Sequence, residues 1–231
     1  MLQAVALLGQ WGGNLLWGAV STLQISFCAY ALGLVLGLAG AVGKLSGGPI
    51  LRGMLNGYTT LVRSLPELLL IVILFYLGTS TLNSILGQYG IRVHINGFVA
   101  ASAVLGIVSG AYQTEVLRGA IQAIPVGQIE AAKAYGMSPW LRFRRIVLPA
   151  MLPFAIPGMS NLWLNITKDS ALVAVVGYTE LTLATRQAAG GTKWYFTFFL
   201  AGALLYLLIS LGSLWVFGRL EKSVRRGQAR A

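Results

Sequence analysis

No Lys, Arg, Asp or Glu occurs before Lys44, and within that uncharged stretch Leu15 to Val42 is almost continuously apolar, broken only mildly by Ser21, Thr22, Gln24 and Ser26. An uncharged run of that length suits a helix that crosses a bilayer with tilt far better than one buried in a water-soluble core. The whole chain has the same character, being 56% hydrophobic and only 10% charged over 231 residues, where soluble domains carry about 25% charged residues. Four further apolar runs follow at Leu65 to Leu86, Gly97 to Leu117, Ile146 to about Asn165, and Tyr195 to Gly218. The expected fold is an all-α membrane protein of about five transmembrane helices, with residues 1–231 forming a single domain.

The net charge of +11 is not spread as a nucleic-acid binder would spread it, because no basic groove with interleaved aromatics is present. The bases cluster in alternate gaps. Lys44, Arg52 and Arg63 follow the first run; Arg118, Lys133, Arg142, Arg144 and Arg145 follow the third; Arg219, Lys222, Arg225, Arg226 and Arg230 follow the fifth. The other gaps hold only Arg92, Arg186 and Lys193, and Lys168 lies near a membrane end. The positive-inside bias therefore predicts the N-terminus outside and the C-terminus in the cytoplasm, in agreement with an odd number of spans. The N-terminal stretch lacks a basic n-region and runs too long for a cleaved signal peptide, so it is expected to remain in the mature chain. Cys28, the single cysteine, reads as a small core residue.

One segment breaks the apolar pattern. Residues 125–149 are polar and sharply punctuated, and the charge count places them on the cytoplasmic side. Pro125 suits a first helical turn, Ala131, Ala132 and Ala134 favour helix, and Gly136 can end it in the left-handed conformation. Ser138 before Pro139 then reads as the N-cap and first-turn proline of a second short helix. Small residues on the first helix suit a fit into a partner's groove.

Glu130-Ala131-Ala132, three residues, Gly136, nine residues, then Ile146-Val147-Leu148-Pro149 resembles the cytoplasmic EAA loop of the membrane subunits of ABC importers. The spacing agrees at every fixed position. The similarity covers most of the chain, from about Leu15 to Glu221, through the blocks Gly57 to Glu67, Gly110 to Ala120 and Lys168 to Leu172. They resemble the polar amino-acid permeases, most of all the subfamily for histidine, arginine, ornithine and opines. The resemblance implies a coupling helix that docks into a cleft on an ATP-hydrolysing subunit, with Glu130, Ala131, Ala132, Gly136, Ile146, Leu148 and Pro149 as the coupling residues. It further implies a dimer of ATP-binding subunits holding ATP and Mg, a periplasmic solute-binding protein, a bacterial inner-membrane location and no cofactor on this chain. Five spans enclose little cavity, so a second permease copy or a paralogue is expected. Glu67 departs from the apolar residue that many amino-acid permeases carry after the proline equivalent to Pro66, and it resembles the acid of members with cationic substrates.

The remaining intramembrane polar residues are candidates for the substrate path. An ionised Glu67 near the start of the second run requires a partner, water or a cavity. Glu115 and Arg118 stand three apart, in reach of a helical ion pair, and an inner-gate role for Glu115 is the alternative. Lys168, Asp169 and Ser170 read as a helix break near the outer membrane end or as part of the path. Asn161, Asn165 and Thr167 either line that path or bond between helices. Pro149, Pro153 and Pro157 should kink or stagger the fourth helix. Gly33 and Gly37, like Gly106 and Gly110, form small-xxx-small pairs that let helices pack closely. His94, the only histidine, has no ligand companions at metal spacing.

The nearest approach to a phosphate-binding loop is Gly43-Lys44, but Leu38 stands at the first glycine position and Leu45 at the Ser/Thr position. This chain is expected to hydrolyse no ATP itself and to be no enzyme. An ion-gradient-driven secondary transporter is the competing reading, and it would show internal repeats that the sequence lacks.

Overall fold

The computed structural model describes residues 2–88 and 96–225; Arg92, His94, Arg226 and Arg230 lie outside them. With no charge to interrupt it, the N-terminal stretch forms one helix, α1, over Leu2–Ser46. Its 45 residues give a length of about 67 Å, roughly twice the hydrocarbon thickness of a bilayer. The other membrane-grade helices are α3 (Glu67–Gly87), α4 (Gly97–Gln122), α7 (Leu148–Asp169) and α9 (Tyr195–Arg225). Five helices are thus long and apolar enough to cross a membrane, which bears out the all-α, five-span expectation.

The helix that carries the fourth apolar run begins before it. From the Ser138 N-cap, α6 (Pro139–Arg142) passes through a π turn at Phe143–Val147 directly into α7, so the continuous helix starts at Pro139, ahead of the apolar run at Ile146. Pro149 explains the π turn: its ring would meet the Arg145 carbonyl in a regular helix, and the widened turn relieves that clash. At the far end α7 tightens into a 3-10 segment, Ser170–Val176, that closes at Gly177 with φ 86°. The irregularity read from Lys168, Asp169 and Ser170 is therefore a change of helical pitch.

Two further helices were not evident as helices in the sequence. The α2 helix (Pro49–Ser64) follows the Gly47-Gly48 turn with Pro49 in its first turn. The α8 helix (Leu181–Thr192) is organised by Glu180, a fully buried acid. Its carboxylate accepts the backbone N–H groups of Thr182 (2.8 Å) and Leu183 (2.9 Å) and the hydroxyls of Thr22 (3.3 Å) and Tyr206 (2.8 Å). An N-cap carboxylate at the positive end of a helix is favourable, and this one also ties α8 to α1 and α9.

The α4 helix is the axis. Two thirds of its span is buried, 67% against 6% for α9 and 11% for α3. Small residues on several sides, among them Ala100, Ala101, Ser102, Gly106, Ser109 and Gly110, let neighbours approach all round it. The most extensive pairing among the described residues is α1 on α4. Both glycine pairs lie in that seam. A Cβ on Gly33 would stand 2.7 Å from Gln113 Nε2, one on Gly37 2.7 Å from Gln113 Cβ, and one on Gly110 3.0 Å from Leu36 Cβ. Four apolar clusters then fix the bundle: Ile25, Ile71, Leu105, Ile166 and Val173 in the middle; Val62, Leu70, Val108 and Ala111 where α2 and α3 meet α4; Ala41, Leu117, Val147 and Met151 at one end; Leu15, Leu181, Ala188 and Phe198 at the other. Cys28 is not in the core as expected; it is exposed on the outer face of α1, where a bilayer accepts an apolar thiol without burial.

The seam yields a test. Gly37→Val forces Gln113 and its backbone away and should cost about 1–3 kcal/mol, read as a lower thermal midpoint in detergent. Gly53→Val on α2, where a Cβ meets nothing within 4 Å, should leave the midpoint where it was. Equal midpoints for both variants and the unsubstituted protein would refute the close-packed seam.

Candidate functional site

The acids divide into those that are saturated with partners and those that are not. Glu115 of α4 is saturated. Lys44 Nζ donates to Glu115 Oε1 at 2.5 Å and to Thr59 Oγ1 at 2.5 Å, and Arg118 donates to Glu115 Oε2 from Nε (3.1 Å) and a terminal nitrogen (2.7 Å). Arg118 also holds Gln122 Oε1 at 2.8 Å. The expected Glu115–Arg118 pair is present, and Lys44 joins it from a helix that sequence spacing could not connect. The cluster pins the ends of α1, α2 and α4 together, and the Lys44 side chain is only 6% exposed.

Glu67 and Asp169 are different. Both line one narrow cleft between α3, α4 and α7, together with Ser109, Tyr112, Asn165 and the apolar side chains of Ile71, Leu105 and Ile166. The two carboxyls lie within interaction range of one another, and Glu67 is within range of the Tyr112 hydroxyl. Neither acid forms a salt bridge among the described residues, unlike Glu115 and Glu221. Glu67 occupies the first turn of α3, where the helix dipole favours a negative charge. The unobstructed space is about 30 Å³, room for little more than a water, so a larger occupant requires the flanking helices to part.

The other path candidates scatter. Asn161 and Asn165 are exposed on α7, and of the two only Asn165 lines the cleft; neither makes a side-chain hydrogen bond to another helix among the described residues. Thr167 and Ser170 are buried and spend their hydroxyls on the Trp163 and Thr167 carbonyls. Lys168 is exposed and does not line the cleft. Tyr112, which sequence reasoning passed over as a site residue, does line it, with the Arg63 guanidinium 6.0 Å from its ring centroid.

Beyond the C-terminal end of α4, the short helix α5 (Val126–Ala134) packs its Ile129 on the cluster around Leu117 and Met151. Pro125 caps it from outside and is not part of its first turn. Gly136 ends it at φ 68°, with Gly136 N–H on the Lys133 carbonyl (2.9 Å) and Met137 N–H on the Ala132 carbonyl (3.1 Å), the paired bonds of a Schellman motif. Ser138 Oγ accepts the Leu141 N–H at 3.4 Å as the N-cap of α6. Ala132 is buried and turned into the bundle, whereas Val126, Glu130, Ala131 and Tyr135 face outward. Ile146, Leu148 and Pro149 stand apart from that outward face: Ile146 and Leu148 are half-buried at the junction beneath it, and Leu148 packs on the cluster around Met151.

Five helices long and apolar enough to cross a membrane, packed around an acidic cleft, make the architecture of a multi-span membrane protein. Residues 29–226 match the model of the binding-protein-dependent transport system inner membrane component, and the chain belongs to that family. It is a transport subunit and not an enzyme. It is 41% identical over 226 residues to the octopine transport system permease protein OccQ of Rhizobium radiobacter, covering 95% of this chain and 94% of the relative. To the histidine/lysine/arginine/ornithine transport system permease protein HisQ of Salmonella typhimurium it is 39% identical over 221 residues, covering 95% and 96%. Among solved structures, that of an amino acid ABC transporter with histidines matches at a TM-score of 0.78 and 27% identity, covering 94% of this chain and 96% of that one.

The saturated cluster makes a separable prediction. Glu115→Gln strands Lys44 as a buried charge and should cost about 3 kcal/mol, read as the unfolding midpoint in a denaturing detergent titration. Adding Lys44→Met to that variant should recover most of the loss, because removing both partners is close to neutral. Equal destabilisation by the single and double substitutions would show that the two are not coupled.

Proposed function

We propose that this chain forms the translocation path for basic amino acids or opines in an ATP-driven importer of a bacterial inner membrane, with its N-terminus outside and α5 in the cytoplasm. The observation that carries the substrate class is the pair of unbridged carboxylates, Glu67 and Asp169, beside Tyr112 and Asn165 in one cleft. Two acids held together in a low-dielectric setting favour a cation between them. The relatives named for octopine and for histidine, lysine, arginine and ornithine support that class. Residues 125–149 supply the docking loop, with Glu130, Ala131 and Tyr135 facing the partner and Gly136 fixing the turn. A dimer of ATP-binding subunits, holding ATP and Mg, drives that loop; a second permease copy or paralogue completes the path; and a periplasmic solute-binding protein delivers the amino acid. Rocking between two arrangements of the paired bundles exposes the cleft to each side in turn.

In liposomes holding the complete importer, Glu67→Gln should lower the apparent affinity for a basic amino acid by about tenfold, the loss of roughly 1.4 kcal/mol expected of a charge-assisted contact. Unchanged stimulation by every basic substrate would remove Glu67 from the path. Glu130→Ala and Gly136→Val should leave membrane insertion intact while uptake falls and ATP hydrolysis escapes substrate control. Wild-type uptake in both variants would count against the docking loop.

A further inference from the structure

A groove of about 510 Å³ opens where α1 and α4 end. Its walls are Leu38, Val42 and Leu45 of α1, Ile121 of α4, Ile129 of α5, and Phe143 and Val147 of the π turn. No acid lines it. Its rim carries Trp140, 71% exposed and stacked on Phe143 with ring centroids 6.1 Å apart. Arg142 lines the groove too, and it makes neither an ion pair nor a side-chain hydrogen bond among the described residues. Arg52 does not line the groove, but it is bonded to the carbonyl of the lining residue Leu45 at 3.1 Å. An apolar slot at the foot of two spanning helices, edged by an exposed tryptophan and an open guanidinium, has the chemistry of a membrane interface.

We propose that this groove binds one anionic phospholipid of the bilayer, an acyl chain lying along Leu38, Val42 and Ile121 and the phosphate on Arg142. A phospholipid is the occupant that the position favours: the slot begins where the spans leave the hydrocarbon, and it pairs an apolar floor with positive charge at headgroup depth. Guanidiniums match phosphate oxygens with paired donors. Because Ile129 of α5 forms part of the wall, the lipid braces the docking helix against α1, and anionic lipid tunes the coupling of ATP hydrolysis to transport. That second step rests on the reading of α5 given above.

The test uses the complete importer, purified in mild detergent and examined by native mass spectrometry with added phosphatidylglycerol or phosphatidylcholine. Arg142→Gln removes the charge from a partly exposed side chain, and Val42→Trp fills the slot from a position already open on α1. Phosphatidylglycerol retention should fall about fivefold in Arg142→Gln, the share of one basic residue at an anionic surface, with phosphatidylcholine unchanged. Val42→Trp should lower retention of both lipids. Equal retention in all three proteins overturns the site, as does displacement of the lipid by inorganic phosphate alone. A photo-crosslinker at position 42 that captures a protein subunit instead of lipid in native membranes also overturns it. Retention is read on the permease itself. Lipid held as expected while ATP hydrolysis ignores lipid composition in nanodiscs would therefore sustain the site and overturn the tuning of coupling by lipid.

Discussion

The close approach of α1 to α4 is the constraint on which the rest depends. Lipid tails are as apolar as leucine, so helices in a bilayer gain little by hiding apolar surface from one another; they associate through packing and hydrogen bonds at short range. Gly33 and Gly37 supply the range by letting Gln113 and its backbone come down onto α1. Gln113 is fully buried there, with its amide nitrogen on the Tyr30 carbonyl (3.3 Å) and Ser109 Oγ (2.9 Å). Once that seam closes, Lys44 has no choice but to sit over Glu115, and α4 becomes the post against which α3 and α7 form the cleft.

Charge placement follows from the same economy. The protein carries six acids in all, and the structure treats four of them, Glu67, Glu115, Asp169 and Glu180, in two ways. Glu115 and Glu180 have their oxygens taken by side chains and backbone from several helices, so each ties elements together at one end of the bundle. Glu67 and Asp169 are brought side by side without a base between them. A fold that can saturate a buried acid with four donors at Glu180 does not leave two others unbridged for want of means. On the proposed reading, these two acids are where a cationic group completes the site, and the contrast with Glu115 and Glu180 supports that reading more firmly than either acid does alone.

What was legible in the chain was what is local. Hydropathy located the spans because each is a run of one kind of residue. Gly136 and Ser138 announced the end of α5 and the cap of α6 because both motifs are completed within five residues. The small-xxx-small pairs were readable as contacts, though not which helix they would meet. The rest needed tertiary information. Lys44 and Glu115 are 71 positions apart, and Glu67 meets Asp169 only because α3 and α7 both lean on α4. The α2 and α8 helices escaped because their polar faces read as loop, and the early start of the helix that carries the fourth run escaped because Arg142, Arg144 and Arg145 interrupt its hydropathy just where the π turn lies.

That π turn gives the helix a mechanical role on the proposed reading. From Ser138 to Val176 the chain is one continuous helical path, with α5 at its foot and Asp169 near its head. The α-helical part from Pro139 to Asp169 is about 45 Å long, so a push on the docking helix is delivered to the cleft along a strut and not through loops. A regular helix would carry that push rigidly. A π turn and two internal prolines, Pro153 and Pro157, each leave backbone bonds unmade, and they provide places where the strut bends while Asp169 and Asn165 change their distance from Glu67. The cleft has room for about one water as it stands, so transport requires such a bend. On that reading the helix that carries half of the proposed site starts beside the docking helix α5, and its irregular lower half is where the two demands are reconciled.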